Sequence, residues 1–162
     1  MSEIERMLAA NEVWREAEFP GELPVAPARK VAVVACMDSR MPLFGMLGLA
    51  VGDAHVIRNA GGVVTEDTLR SLAISQHLLG TRAVVLVHHT DCGLNKATDE
   101  EFGDLVERTT GHRPPWAART FTDVDADVRD SMRRIQETPY LLGTEVRGTV
   151  YDVATGELRE VG

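Results

Sequence analysis

The apolar positions of this chain fall into two alternating rhythms, one helical and one continuous. Residues 3–17 place Ile4, Met7, Leu8 and Trp14 on or near one helical stripe. The Pro/Gly-rich connector "FPGELPVAP" (19–27) ends that helix. "KVAVVA" (30–35) has no polar alternation, which predicts a strand covered on both faces, as in a parallel sheet. "AHVIRNAGG" (54–62) predicts a short second strand running into a glycine turn. In "TEDTLRSLAISQHLLG" (65–80), Thr65 is an N-cap, Glu66 and Asp67 suit the positive end of a helix, and Gly80 suits its C-terminus. Leu69, Leu72, Ala73, Gln76 and Leu79 follow helical spacing within it.

"RAVVLVHH" (82–89) is another apolar strand, and it too stops at polar residues. A short helix near 98–109 and the loop "GHRPPWAARTF" (111–121) follow. Val124, Val128, Met132 and Ile135 then share one face of a helix over 123–138. "EVRGTVYDVATGELREV" (145–161) reads as a strand, an "ATG" turn and a terminal strand. Strands alternating with helices define an α/β fold with a mainly parallel sheet flanked by helices, here in one domain over 1–162. In such sheets sites lie beyond the carboxyl ends of the strands. The two strongest strands end at Cys36 and at His89.

Composition narrows the function classes. The chain is 44% hydrophobic and 26% charged, as ordinary globular proteins are, and its net charge of −8 opposes binding to nucleic acid or to an anionic membrane. No apolar run approaches the roughly 20 residues of a bilayer span. "MSEIERMLAANEVWREAEF" has no apolar signal core, so a cytoplasmic location is expected. In that setting the only two cysteines, Cys36 and Cys92, are candidates for catalysis or metal binding before a disulfide.

His89 and Cys92 are spaced H-x-x-C on the turn leaving a strand, and Cys36 ends a neighbouring one. Two thiolates and an imidazole suit zinc, and three protein ligands leave the fourth position open, as catalysis requires. The plainer alternative is a core thiol at Cys36 beside a chance H-x-x-C. Asp38 and Arg40 alternate along an extended segment, so the guanidinium can hold the carboxylate bidentately. Beside a zinc site, such a carboxylate serves as a hydrogen-bond acceptor; without one, the pair would be a surface salt bridge.

Three motifs in order, C-M-D-S-R (36–40), R-N-A-G (58–61) and H-T-D-C-G (89–93), resemble β-class carbonic anhydrase, and the compact archaeal-type branch in particular. The resemblance spans nearly the whole chain. It implies four parallel strands plus an antiparallel fifth, and one zinc per chain on Cys36, His89 and Cys92. It further implies Asp38 and Arg40 as the catalytic dyad, and a homodimer, or a multiple of dimers, in which helix 3–17 packs on the partner subunit. The implied reaction is the reversible hydration of carbon dioxide to bicarbonate and a proton by zinc-bound hydroxide. Related members hydrolyse carbonyl sulfide or carbon disulfide with the same ligands, and a non-catalytic zinc or redox-sensing module would need the Cys2His set without Asp38 and Arg40. In some members the aspartate closes the site as a fourth ligand, so open and closed arrangements both stand as expectations.

The chain also departs from family patterns. "GELPVAP" lacks the glutamine of plant-type members, and Val33 stands where some bacterial members carry the tryptophan of a bicarbonate pocket. His88 replaces a common glycine; strand alternation turns it away from His89, predicting a hydrogen-bonded structural histidine. His55, His77 and His112 read as surface or packing residues, and Asn59, Gly61 and Gly62 as shaping the pocket by close backbone approach. Asp91 either orients a ligand or caps the turn.

Overall fold

The apolar run before Cys36 forms strand β1 (Val31–Cys36), buried from Ala32 onward, in a computed structural model that describes residues 1–162. Around it the sheet is ordered β2-β1-β3-β4-β5, with β2 Ala54–Asn59, β3 Ala83–His89, β4 Glu145–Tyr151 and β5 Leu158–Val161. The first four strands are parallel and β5 returns antiparallel to β4, as the resemblance implied.

The helices are α1 (Glu3–Ala17), α2 (Leu43–Met46), α3 (Glu66–His77), α4 (Asp99–Thr110) and α5 (Val124–Glu137). All the predicted helices and strands are present, with ends displaced by at most three residues. The one-turn helix α2 and the 3-10 turns at Ala60–Gly62 and Gly93–Asn95 carry no periodic signal and were not anticipated. The predicted N-cap is in place, with Thr65 Oγ1 accepting from Thr68 N at 3.3 Å; the helix ends earlier than expected, at a Leu78 cap, and Gly80 turns the chain two residues on with a left-handed φ of 75°.

Helices α3 and α5 cover one face of the sheet. Leu69, Leu72 and Ile135 pack there on Ala32, Val34, Val84 and Leu86. Truncating the fully buried Leu72 to Ala costs about 2–5 kcal/mol by transfer and cavity terms. Helix α5 lies so close to β4 that a Cβ at Gly148 would overlap Val128.

The opposite face holds Val33, Ala35 and Val87 with Met41, Leu43 and Tyr151, but Val31, Val56, Val85 and Leu158 around them are only partly buried. Helix α1 is well started, by a Ser2–Glu5 capping box with bonds of 3.2 and 2.6 Å, yet none of its 15 residues is buried. Ile4, Met7 and Leu8 of its predicted stripe are 65–71% exposed. No helix is long and apolar enough to cross a membrane.

Candidate metal centre

Parallel pairing aligns Ala35 of β1 with Val87 of β3, so the two strands deliver Cys36 and His89 side by side at their carboxyl ends. Cys92 follows on the turn, and one ligand atom from each of the three lies within 4.8 Å of the others. A tetrahedral zinc with bonds of about 2.3 Å to sulfur and 2.0 Å to nitrogen needs ligand atoms roughly 3.5–3.8 Å apart, so small adjustments would complete the shell. All three side chains are buried, at 4%, 1% and 2% exposure.

The imidazole tests whether a cation fits. His89 Nδ1 donates to Thr90 O at 2.8 Å, which fixes the tautomer and leaves Nε2 as the acceptor. Nε2 is buried and has no hydrogen-bond partner. Leaving such an atom unpaired costs about 1–3 kcal/mol, and a metal removes that cost. The thiols point the same way. The adjacent Cys92 thiol, and then His89 and nearby backbone N–H groups, hold Cys36 below the usual thiol range, against the opposing effect of burial. That same contact between the cysteines, with burial, pushes Cys92 up. One proton is thus shared where a divalent cation would favour two thiolates. Burial pushes His89 down, but the adjacent Cys36 sulfur, the Thr90 carbonyl and the Asp38 charge outweigh that and raise it.

Asp38 stands on the rim, Oδ2 3.8 Å from His89 Nε2. Arg40 grips it three times: Nε donates to Oδ1 at 3.0 Å, Nη2 to Oδ2 at 2.7 Å, and the backbone N–H to Oδ1 at 2.8 Å. Those side-chain and backbone bonds hold the Asp38 carboxyl well below the usual carboxylate range, so it remains an acceptor. The Asp38–Arg40 pair is intact.

Two supports hold the turn, and the role of the first had no signal in the sequence. Arg58, on β2, donates through Nε to Cys36 O at 2.9 Å and through Nη2 to Asp38 O at 2.7 Å, fixing the turn that carries both residues. It lies inside the R-N-A-G motif, but its partners are backbone carbonyls at the end of the neighbouring strand and on the turn after it, which no local pattern reveals. Gly62, with φ +73°, packs against β1 so tightly that a Cβ would meet Cys36 N at 2.9 Å. That is the close backbone approach expected of the glycine turn, and Asn59 Nδ2 secures it by donating to Val63 O at 2.8 Å.

His88 points to the other face, where Nε2 meets Asp127 Oδ2 at 2.7 Å. The expectation of a structural histidine is met at that nitrogen only, because buried Nδ1 has no partner. His55 bonds Ser75 and His77 bonds Tyr140 O, as packing residues do, and His112 is exposed. A cleft of about 900 Å³ opens elsewhere between Glu66, Asp99, Trp116 and Arg119. The three candidate ligands and the Asp38–Arg40 pair are not among its walls, and a small substrate needs no such room.

A parallel α/β sheet, an open Cys2His set at two strand ends and a fixed acceptor beside it define the class of metal-dependent enzymes that activate water. A family profile described as "Carbonic anhydrase" matches residues 31–158. "Beta-carbonic anhydrase 1" of Mycobacterium tuberculosis is 52% identical over 153 residues, covering 94% of each chain. The crystal structure of a carbonic anhydrase from Streptococcus mutans superposes with a TM-score of 0.96 at 40% identity, over 100% of this chain and 99% of that one. A "Carbon disulfide hydrolase" of Acidithiobacillus thiooxidans is 31% identical over 174 residues, 89% of this chain and 87% of its own. The chain belongs to the β-class carbonic anhydrase family.

Proposed function

We propose that this protein catalyses the reversible hydration of carbon dioxide to bicarbonate and a proton, with one zinc ion per chain held by Cys36, His89 and Cys92. Asp38 is the catalytic residue in this scheme and Arg40 holds it. The observation that carries the reading is the Asp38 carboxylate, locked by Arg40 at 3.8 Å from the unpaired His89 Nε2. A zinc module built only for stability or redox sensing has no use for it.

Zinc, when bound, supplies a Lewis acid that brings the pKa of water toward about 7. The rest falls to the chain. Asp38, unable to protonate near neutrality, accepts the hydrogen of the attacking hydroxide and leaves its lone pair aimed at the substrate carbon. The apolar side chains of Val87, Met41, Leu94 and Phe121 pack around the two cysteines and limit competing water. The proton formed leaves to solvent or buffer.

The uncovered sheet face and the unpacked α1 support a homodimer, or a multiple of dimers, in which α1 lies on the partner. Free, buried Cys36 and Cys92 support a cytoplasmic setting. Stopped-flow hydration with zinc-loaded protein tests the activity: a rate no faster than buffer overturns it. The carbon disulfide hydrolase relative makes carbonyl sulfide the necessary control substrate, and carbon dioxide should turn over faster.

A further inference from the structure

Asp91 lies between His89 and Cys92 with φ +55°, a left-handed backbone seldom adopted by residues other than glycine, asparagine and aspartate. In that conformation two of its oxygens meet Arg40. Arg40 Nη1 donates to Asp91 Oδ2 at 2.9 Å, and Nη2 donates to Asp91 O at 3.1 Å. The other edge of the guanidinium is the one on Asp38. Asp91 is itself held, since Lys96 Nζ sits 2.7 Å from its Oδ1. Two carboxylates and two cations therefore form one line, Asp38–Arg40–Asp91–Lys96, whose charges balance.

The line joins two separate pieces of chain. Asp38 and Arg40 follow Cys36 on the turn after β1, whereas Asp91 and Lys96 flank Cys92 beyond β3. Arg40 is 45% exposed. A long side chain so exposed samples many rotamers unless it is held from more than one direction. Asp38 fixes it from its own turn only, and a pair confined to one turn can swing together. The second hold comes from the facing segment.

We propose that Asp91 is a positioning residue that clamps the Arg40 guanidinium and so keeps the Asp38 carboxylate aimed at the reacting centre. This rests on the reading of Asp38 as the catalytic acceptor. It excludes the simpler role of Asp91 as a turn residue alone.

Asp91→Asn separates the two roles, because asparagine tolerates the left-handed backbone but lacks the charge. The measurements use the full-length, zinc-loaded protein with zinc content confirmed. Side-chain 15N relaxation at Arg40 Nε should show an order parameter near the rigid value of about 0.85 in the parent and below about 0.6 in Asp91→Asn. Hydration kcat/KM should fall about tenfold in Asp91→Asn, but less than about twofold when the same change is made in an Arg40→Ala background. Lys96→Met, which frees the other carboxylate oxygen, should loosen Arg40 part of the way and provides the relaxation test if Asp91→Asn folds poorly. An equally rigid Arg40 Nε in these variants, or the same loss of kcat/KM in both backgrounds, overturns the proposal. A parent without hydration activity would instead overturn the functional reading, while the relaxation data would still decide the clamp.

Discussion

Replacing Arg40 by alanine tests how the Asp38 carboxylate is used. The variant removes two charge-assisted bonds to Asp38, from Nε and Nη2, and leaves the backbone N–H of residue 40 on Oδ1. Bonds to charged groups are stronger than neutral ones, but solvent at the exposed Arg40 screens them. Their joint loss is expected to cost roughly 100-fold in rate, because the acceptor is no longer held where the reaction needs it. Zinc should stay, because Arg40 touches none of the three proposed ligands directly. Stopped-flow hydration near pH 8, with metal content measured on the same sample, should therefore show a fall of about 100-fold in kcat/KM at full zinc occupancy. A rate within about threefold of the parent would refute the role of the pair. Protonation of Asp38 does not confound the assay. Its folded pKa lies below the ordinary value of about 3.9, so the stabilisation from its pairing is complete above that value and is lost only as pH falls through the folded one.

Other consequences can be checked alongside. Cys36→Ser, His89→Ala and Cys92→Ser should each lose most of the zinc by elemental analysis, and full occupancy in all three would remove the ligand assignment. Hydration activity should rise from pH 6 to 9 through a midpoint of roughly 7–8, reporting water activation, since Asp38 is already ionised throughout. A flat profile would contradict that mechanism. Light scattering at micromolar concentration should give the mass of a dimer or a multiple of it; an active monomer would contradict the proposed assembly. Gly148→Ala, which forces a methyl against Val128 far from the thiols, should lower Tm by roughly 3–10 °C with zinc retained, and an unchanged Tm would mean that α5 yields freely.

What the sequence made legible follows from which interactions are local. The strands ending at Cys36 and His89 were readable because burial on both faces leaves an uninterrupted apolar run. Helices α3 and α5 were readable from their caps and 3.6-residue spacing. Cys36, His89 and Cys92 converge because two parallel neighbours end together, and the order of the motifs pointed to that. Arg58 escaped because it acts on carbonyl oxygens of another strand, so nothing nearby in sequence marks it. Asp91 was visible as a turn residue, but its contact with Arg40, 51 positions away, requires the fold. His88 turned away from the site as alternation demands, yet neither its partner Asp127 nor its unpaired Nδ1 was predictable from the strand pattern.

The two surfaces that the chain leaves uncovered present one physical problem. A helix of 15 residues is marginally stable in water by itself, and α1 receives no burial from its own chain to improve on that. Its cap contributes only about 1 kcal/mol. Meanwhile Val31, Val56 and Val85 stay partly open on a sheet whose other face is packed by α3 and α5. A parallel sheet normally has both faces covered, and no helix of this chain longer than one turn contributes a buried residue to the second face. In the proposed dimer a second copy would supply what both surfaces lack: an apolar partner for Ile4, Met7 and Leu8, and a cover for the open sheet face. A chain that stays dimeric should therefore keep α1 helical, and dilution to the monomer should lose α1 first, read as a fall in helical circular dichroism with the sheet retained.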